Sequence, residues 1–487
     1  MRLSASLVGC ALVIGAAMVP GAGSAHAATV DSRHLSQPAT ALATGDSRHV
    51  SQPTVPGVCT ALTSTLATPG GRTFSSSQEQ SPPDTARLQS ALNGCAGSGK
   101  AVELVASGSD NAFLSGPLTV GSGETLLVAP GATLFASAKA SQYQISGKPT
   151  CGTVQSSDGG CAPFISVTGA NSAVMGTTSG SGSQGRIDGR GDVTLAGGTE
   201  SWWQLAQDAK NSGKNQNNPF LIVGSANNFT LFDIDLLNSP MFHVVFRNAD
   251  GFTAWGVRIF TPDNARNTDG IDPSAATDVT ITNSWLQDGD DCVAIKAGNG
   301  PSRNITVSNN HCYGTHGLSI GSETNAGVTN VLMTNNTLQG TDNTGRTSSS
   351  DNGIRIKSDP KRGGTVSQVT YVNTCMTGIK DLLVFNPFYS TTSGSLIPTF
   401  TGIVVNGAKS VSSASSATSQ IDGFNSSHLL GLTLENVQLD VAKTTAQDAT
   451  VQTFDTNLAP SGSGVTVTGI SGSGSVPSCT FPSFPGL

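Results

Sequence analysis

Four short polar clusters interrupt the weakly charged middle of this sequence, and together they hold the residue types that acid–base chemistry needs. The clusters are Asn267-Thr-Asp269-Gly, Gly289-Asp290-Asp291-Cys, His316-Gly and Arg355-Ile-Lys357. Aspartates that lie close together repel and raise one another's pKa, which is typical of sites where a proton is held and delivered. A cationic pair beside them favours an anionic ligand.

A calcium site is the alternative interpretation of such a cluster, because Ca²⁺ takes carboxylate oxygens as ligands. Arg355 and Lys357 argue against it, since the two cations would compete for the same oxygens. A single aspartate in a turn is usually a local cap, but three on one patch are harder to explain as caps. We therefore expect a catalytic site with no metal and no cofactor.

The elements that must position these clusters follow from an internal repeat. Strand-like segments of the type Asn-Phe-Thr-Leu recur with their second residues at positions 229, 252, 279, 305 and 331, in steps of 23 to 27 residues. This period is typical of a parallel β-solenoid, whereas a β-propeller needs about 40 residues per blade. Residues one period apart stack about 4.8 Å apart, so the four clusters should converge on one face.

The composition supports an all-β fold and excludes other classes. The chain has 487 residues, a formal net charge of −7 and only 12% charged residues, so it lacks the basic surplus that a nucleic-acid binder needs. Its 58 glycines disfavour long helices. The clearest helix pattern is Asp84 to Gly94, with an N-cap aspartate and with Leu88 and Leu92 on one face. It predicts a short N-terminal capping helix.

The N-terminus indicates export from the cytosol. Residues 1–27 have the apolar stretch and the Ala25-His-Ala27 cleavage pattern of a signal peptide. Residues 28–57 contain a duplicated octamer, Asp31–Pro38 and Asp46–Pro53, which predicts a disordered linker. Residues 58–487 then form one catalytic β-helix domain. We expect a secreted, soluble monomer without membrane spans.

Eight cysteines remain after the signal peptide, and an even number in an exported protein favours disulfides over metal binding. Cys151 with Cys161 would close a small loop. Cys59 with Cys95 would fasten the N-terminal end. The other pairings are left open by the residues alone.

The motifs NTDG, GDD, HG and RIK, in this order and spacing, resemble those of the polygalacturonases of glycoside hydrolase family 28. The similarity is widest from residue 186 to residue 361 and is greatest to the bacterial endopolygalacturonases. The resemblance implies a single-stranded, right-handed parallel β-helix that hydrolyses α-1,4 links between galacturonic acid residues of pectin. Cys292 and Cys312 match a disulfide pair of fungal members.

The resemblance also implies roles for the acidic residues. Asp290 would be the general acid, Asp269 and Asp291 would hold and activate water, and His316 would tune the proton balance. Adjacent coils place Asp269 and Asp290 about 5 Å apart at the backbone, a separation that for the carboxylates themselves would suggest a retaining mechanism. The family inverts, and the resemblance therefore implies inversion.

Five further residues complete the implied site. Arg355 and Lys357 would bind the galacturonate carboxylate, and Tyr389 would contact the sugar at the cleavage point. Asn267 would orient the acidic cluster. Lys296 would extend the basic cleft.

Three alternatives remain at this stage. Exo-action would need insertions that close one end of the cleft, and the insertion at residues 340–352 is the feature that suggests it. A calcium-dependent pectate lyase would share the fold but use an arginine base. A carbohydrate-binding β-helix without activity would not require mutually repelling aspartates.

Overall fold

The structure is a computed structural model that describes residues 42–487. The predicted signal peptide and the first copy of the octamer lie outside the described residues. Among the described residues, no helix is both long and apolar enough to cross a membrane.

Parallel strands wind into a right-handed β-helix whose coils stack in register as three sheets. The first stack consists of Leu118–Val120, Ile165–Val167, Ile222–Gly224, the starts of Val244–Trp255 and Ile271–Thr282, Val293–Ile295, Leu318–Ile320, Asn352–Lys357, Asp381–Asn386, Thr418–Asp422 and Lys443–Gln447. The second stack consists of Val58–Thr63, Ala101–Val105, Thr125–Val128, Ala173–Gly176, Phe229–Phe232, the ends of Val244–Trp255 and Ile271–Thr282, Ser302–Ser308, Val328–Thr334, Thr365–Thr377, Thr399–Val411, Leu430–Gln438, Ala449–Thr456 and Thr466–Gly469. The third stack consists of Ala112–Ser115, Thr133–Ala136, Gly185–Asp188, Ile234–Leu237, Arg258–Phe260, Trp285–Gln287, His311–Tyr313, Thr337–Gln339 and the ends of the two long strands that begin at 365 and 399.

The residues that repeat in the sequence pair with one another, coil after coil, in the second stack. Phe252 pairs with Val279, which pairs with Ile305, and Ile305 pairs with Val331. All four side chains are fully buried. A single coil cannot bury its own apolar face, so the core forms only when neighbouring coils stack. The predicted parallel β-helix is therefore confirmed.

Helices are few and lie outside the stacks. The α-helices are Ser76–Gln80, Thr85–Gly94 and Trp202–Ser212, the 3₁₀ helices are Gly70–Arg72 and Ala140–Tyr143, and Val154–Gln155 pairs antiparallel with Asn215–Gln216. The predicted helix begins after its cap residue Asp84, and its Leu88 and Leu92 are fully buried.

Disulfides pair all eight cysteines that follow residue 41. The two pairs predicted from spacing, Cys59–Cys95 and Cys151–Cys161, are present, as is Cys292–Cys312. The remaining bond, Cys375–Cys479, fastens the C-terminal segment to the β-helix.

The prediction of a disordered linker does not hold for residues 42–57. The second octamer lies along the second stack, where Asp46 is hydrogen-bonded to Thr280 and Thr306 and its side chain is only 3% exposed. The prediction rested on the lack of an apolar face. The segment does not need one, because its backbone and polar side chains find partners on successive coils.

Candidate active site

The first stack brings the four predicted clusters together. Ile271, Val293, Leu318 and Ile354 are register partners on successive coils. Asp269, Asp291 and His316 each lie two residues before one of these partners, while Arg355 and Lys357 lie just after the last. The stacking of coils therefore converts a sequence separation of many residues into one compact patch.

Asp290 lies at the centre of this patch, and both of its carboxylate oxygens have partners. Its Oδ1 is 3.0 Å from Nδ1 of His316, and its Oδ2 accepts a hydrogen bond from Nδ2 of Asn267 at 3.2 Å. Its backbone N–H donates to Oδ1 of Asp288 at 3.0 Å. Asn267 is itself fixed by Nε2 of Gln216 at 3.0 Å. Asn267 therefore directly contacts one carboxylate of the acidic cluster.

Asp291 is buried and bound to both predicted cations. Lys357 Nζ lies 2.7 Å from Oδ2, Arg355 Nη1 lies 3.3 Å from Oδ1, and Ser319 Oγ donates to Oδ1 at 2.7 Å. The carboxylate side chain is 1% exposed. The two cations therefore compensate a buried negative charge that would otherwise be very costly.

Tyr389 covers the same two cations from the outside. Its ring centre is 5.2 Å from the Arg355 guanidinium carbon and 5.0 Å from Lys357 Nζ, both within cation–π range. The tyrosine is 42% exposed. Tyr389 therefore presents an exposed aromatic ring directly beside the two cations.

Lys296 lies against two of the aspartates. Its Nζ is 2.6 Å from Asp272 Oδ2 and 3.4 Å from Asp269 Oδ2, and it sits 4.3 Å from the ring centre of Phe242. Its side chain is 16% exposed. It is the counter-ion of two buried carboxylates, one of which is the predicted site residue Asp269.

The carboxylates have divergent proton affinities. Burial, followed by the charges of Asp290 and Asp272, raises the pKa of Asp269 well above its ordinary value. Burial also acts to raise the pKa of Asp290, but the His316 imidazole, with Lys357 and Lys296, outweighs it and leaves that pKa below the ordinary range. Of these two carboxylates, Asp269 therefore has the higher proton affinity and Asp290 the lower.

Comparison of the sequence with models of protein families identifies the family of the chain. The model described as glycosyl hydrolases family 28 matches residues 117–459, which include all of the clusters. The chain belongs to this family.

Relatives of this family 28 chain are similar over most of its length. A polygalacturonase of Ralstonia solanacearum is 41% identical over 403 residues, which cover 74% of this chain and 73% of the relative. An endo-polygalacturonase of Pectobacterium carotovorum subsp. carotovorum is 42% identical over 358 residues, covering 73% and 84%. The solved polygalacturonase of Erwinia carotovora ssp. carotovora superimposes with a TM-score of 0.72 at 38% identity, covering 87% of this chain and all of that one.

Two acidic residues of the site were missed by the sequence interpretation. Asp288 is fully buried beneath Asp290, and burial raises its pKa well above the ordinary value. Asp272 pairs with Lys296, and burial raises its pKa to about 6. Both lie within three residues of a predicted aspartate, so their closeness in sequence was the available signal.

His243 is a third missed residue, and it is structural. Its Nδ1 is 2.9 Å from the carbonyl oxygen of Thr268 and its Nε2 is 2.8 Å from Oγ1 of Thr261. Burial lowers its pKa to about 4, so the ring is neutral at ordinary pH. It fixes the backbone that carries Asp269, and no spacing rule in the sequence points to it.

A divalent cation is a poor fit to the donors of this patch. Asp290, Asp291 and His316 offer donor atoms within 4.8 Å of one another. Both oxygens of Asp291 already face cationic or hydroxyl donors, and both oxygens of Asp290 are hydrogen-bonded. Lys357 and Arg355 would repel a further cation at this position.

Proposed function

We propose that this family 28 protein is a secreted polygalacturonase that hydrolyses α-1,4 links between galacturonic acid residues of polygalacturonate, endo-acting and with inversion. The observation that carries the proposal is the placement of three carboxylates on adjacent coils, with a cationic pair binding one of them. That arrangement combines acid–base groups with recognition of an anionic sugar. The similarity to bacterial polygalacturonases supports the same substrate.

Asp290 is the carboxyl group best placed to meet a glycosidic oxygen. Its side chain is 17% exposed, while those of Asp269 and Asp291 are 4% and 1% exposed. In the free enzyme the nearby cations keep the pKa of Asp290 low. A substrate carboxylate that approaches Arg355 and Lys357 offsets part of this positive charge, so substrate binding raises the pKa of Asp290 and favours the protonated form that a general acid needs.

Asp269 and Asp291 then hold water on the other side of the bond. Asp291 is held in place by its ion pairs with Lys357 and Arg355. Asp269 has one buried oxygen, Oδ1, without a hydrogen-bond partner, and this oxygen is available to a water molecule. Two carboxylates that share one water act as a general base, which inversion requires.

The cations retain donors for the substrate while they bind Asp291. In the described chain, Arg355 makes its hydrogen bonds through Nη1, to Asp291 and to the carbonyl oxygen of His316, so that Nη2 remains for a ligand. Lys357 carries three N–H donors and makes one hydrogen bond to a protein group in the described chain, to Asp291. Tyr389 adds an exposed ring on which a sugar can pack. These three residues form the proposed galacturonate-binding group.

Product analysis on polygalacturonate tests the proposal. We expect new reducing ends, a rapid fall in viscosity at low bond cleavage, oligomeric early products and an inverted anomer in the first NMR spectra. Release of monomer or dimer alone would instead indicate exo-action. An ultraviolet-absorbing unsaturated product that disappears with EDTA would indicate a calcium-dependent lyase and would refute hydrolysis.

Export is a separate part of the proposal. The signal sequence predicts cleavage after Ala27. N-terminal sequencing of protein recovered from the medium should begin at Ala28. Recovery of the uncleaved chain from the cytosol would contradict it.

A further inference from the structure

The segment Ala43–Arg48 crosses the outer face of the second stack at about one coil per residue. The Ala43 N–H donates to Oγ1 of Thr370, and the N–H groups of Thr44 and Gly45 donate to Oδ1 of Asn330. The chain therefore runs across the strands rather than along them.

Its second half continues over the next coils. Asp46 N–H donates to Oγ1 of Thr306 at 2.9 Å, and Thr280 Oγ1 donates to the Asp46 carboxylate at 2.6 Å. Ser47 Oγ donates to Asp278 at 2.6 Å, and Arg48 Nη2 donates to the carbonyl oxygen of Phe252 at 2.7 Å. Arg48 also forms an ion pair with Asp46 at 2.8 Å. We call the receiving surface, from Phe252 to Thr370, the docking groove.

The sequence repeat is longer than the octamer when it is aligned on these contacts. Residues 28–38 read Ala-Thr-Val-Asp-Ser-Arg-His-Leu-Ser-Gln-Pro, and residues 43–53 read Ala-Thr-Gly-Asp-Ser-Arg-His-Val-Ser-Gln-Pro. Every residue from 43 to 48 contacts the groove or a neighbour within the segment. Within this stretch the two copies differ at one position, where the first copy has Val30 and the second has Gly45.

Residue 45, the one position at which the two copies differ, is a position where the groove requires glycine. Gly45 has a φ of +74°, which is strained for a β-branched residue. A Cβ added there would lie 2.2 Å from Oγ1 of Thr306 and 3.1 Å from Cβ of Leu332. Thr306 cannot simply turn away, because the same Oγ1 accepts the hydrogen bond from Asp46.

We propose that the docking groove is a recognition site for the sequence Ala-Thr-Gly-Asp-Ser-Arg of the same chain, and that Gly45 admits the second copy of the repeat while Val30 excludes the first. The side chain at this one position therefore determines which copy of the repeat occupies the groove. The groove lies on a different sheet from the carboxylate cluster, so docking stabilises the β-helix without taking part in the reaction.

Hydrogen–deuterium exchange of the full chain tests this selection, with intact mass confirming that residues 28–33 are retained. Gly45→Val should speed exchange in residues 43–48 by at least about tenfold, because the docked state is lost. Adding Val30→Gly to that variant should leave residues 43–48 unprotected and newly protect residues 28–33. Turnover should stay unchanged in both variants.

Gly57→Val is the matched control, because Gly57 has no atom within 4 Å of an added Cβ. It introduces the same side chain into the same segment and should leave the protection of residues 43–48 intact. Unchanged protection in Gly45→Val would overturn the requirement for glycine. Failure of the double variant to protect residues 28–33 would overturn recognition of the repeat.

Discussion

The strand Ile271–Thr282 contributes to two faces of the β-helix, and these faces differ in how fully their polar groups are hydrogen-bonded. Near its start, Asp269 and Asp272 are buried with one carboxylate oxygen each left without a hydrogen-bond partner. Near its end, Asp278 and Thr280 make hydrogen bonds to the docked segment. The first face concentrates like charges, whereas the second repeats threonine and asparagine side chains coil after coil.

This difference indicates how function can be recognised in a solenoid. Polar groups that recur in register, such as Asn304 and Asn330, hydrogen-bond to one another across coils at 2.9 Å. Carboxylates that occur once and crowd together raise one another's pKa instead. We therefore expect substitutions on the first face to affect turnover and those on the second to affect only docking and stability.

Asp290→Asn should give the largest effect. The amide keeps the shape of the side chain but removes the proton donor, so kcat should fall by about 10²–10⁴. Oligogalacturonate affinity and the melting temperature should change little, as measured by calorimetry. Asp278→Asn, the same substitution on the docking face, is the control and should keep normal turnover. Near-normal turnover in well-folded Asp290→Asn would end the assignment of the acid.

His243→Asn should change how stability depends on pH. The pKa of His243 is lowered to about 4 in the folded chain, against 6.5 when unfolded, so only the unfolded state takes up a proton between these values. The group therefore costs the wild type about 3 kcal/mol of unfolding free energy as the pH falls from 6.5 to 4, and nothing above 6.5.

Denaturant unfolding at pH 7, 5 and 4 checks this expectation. The asparagine variant lacks the titrating ring, so the stability difference between wild type and variant should shrink as the pH falls. A difference that stays constant across this range would show that His243 is protonated equally in both states.

Lys357→Ala should chiefly weaken substrate binding. Loss of a charge-assisted contact to the galacturonate carboxylate should lower kcat/KM by about tenfold to a hundredfold. Most of the loss should appear in KM, with a smaller part in kcat. Exposed Lys361→Ala is the matched control. An equal loss in both variants would indicate a general charge effect rather than a specific contact.

Thr306→Val should give the smallest effect and belongs to the docking face. It preserves the shape of the side chain but removes the acceptor for the Asp46 N–H, which should cost about 1 kcal/mol of local stability. Amide exchange at Asp46 reports this loss, and kcat on polygalacturonate should not change. A fall in kcat would contradict the separation of the two faces.

Several features could be predicted because they depend on local pattern. The positions 229, 252, 279, 305 and 331 gave the register of the second stack, since a buried strand position must recur once per coil. The clusters around Asp269, Asp290 and His316 were found for the same reason. The docked position of residues 42–57 was not found, because a polar segment has no periodicity that identifies its partner.

Three charged residues show what sequence spacing does not predict. Lys296 was predicted to extend the basic cleft, and the structure shows that Asp272, one coil earlier, is its nearest partner, which the sequence interpretation did not identify. Asp288 and Asp290 have like side chains two residues apart, yet burial and neighbouring charges move their pKa values in opposite directions. Proton affinity depends on solvent and on charges from other coils, which sequence spacing does not describe.

The sequence by itself determined the parallel β-helix, three of the four disulfides and the four motifs that meet on one face. These follow from periodicity, cysteine spacing and family motifs, all of which are properties of the chain read in order. Only the tertiary structure decided which carboxylate is most exposed, which carboxylate each cation binds and where residues 43–48 dock. Those outcomes depend on burial and on distances of a few ångströms between coils, and they exist only after the coils have stacked.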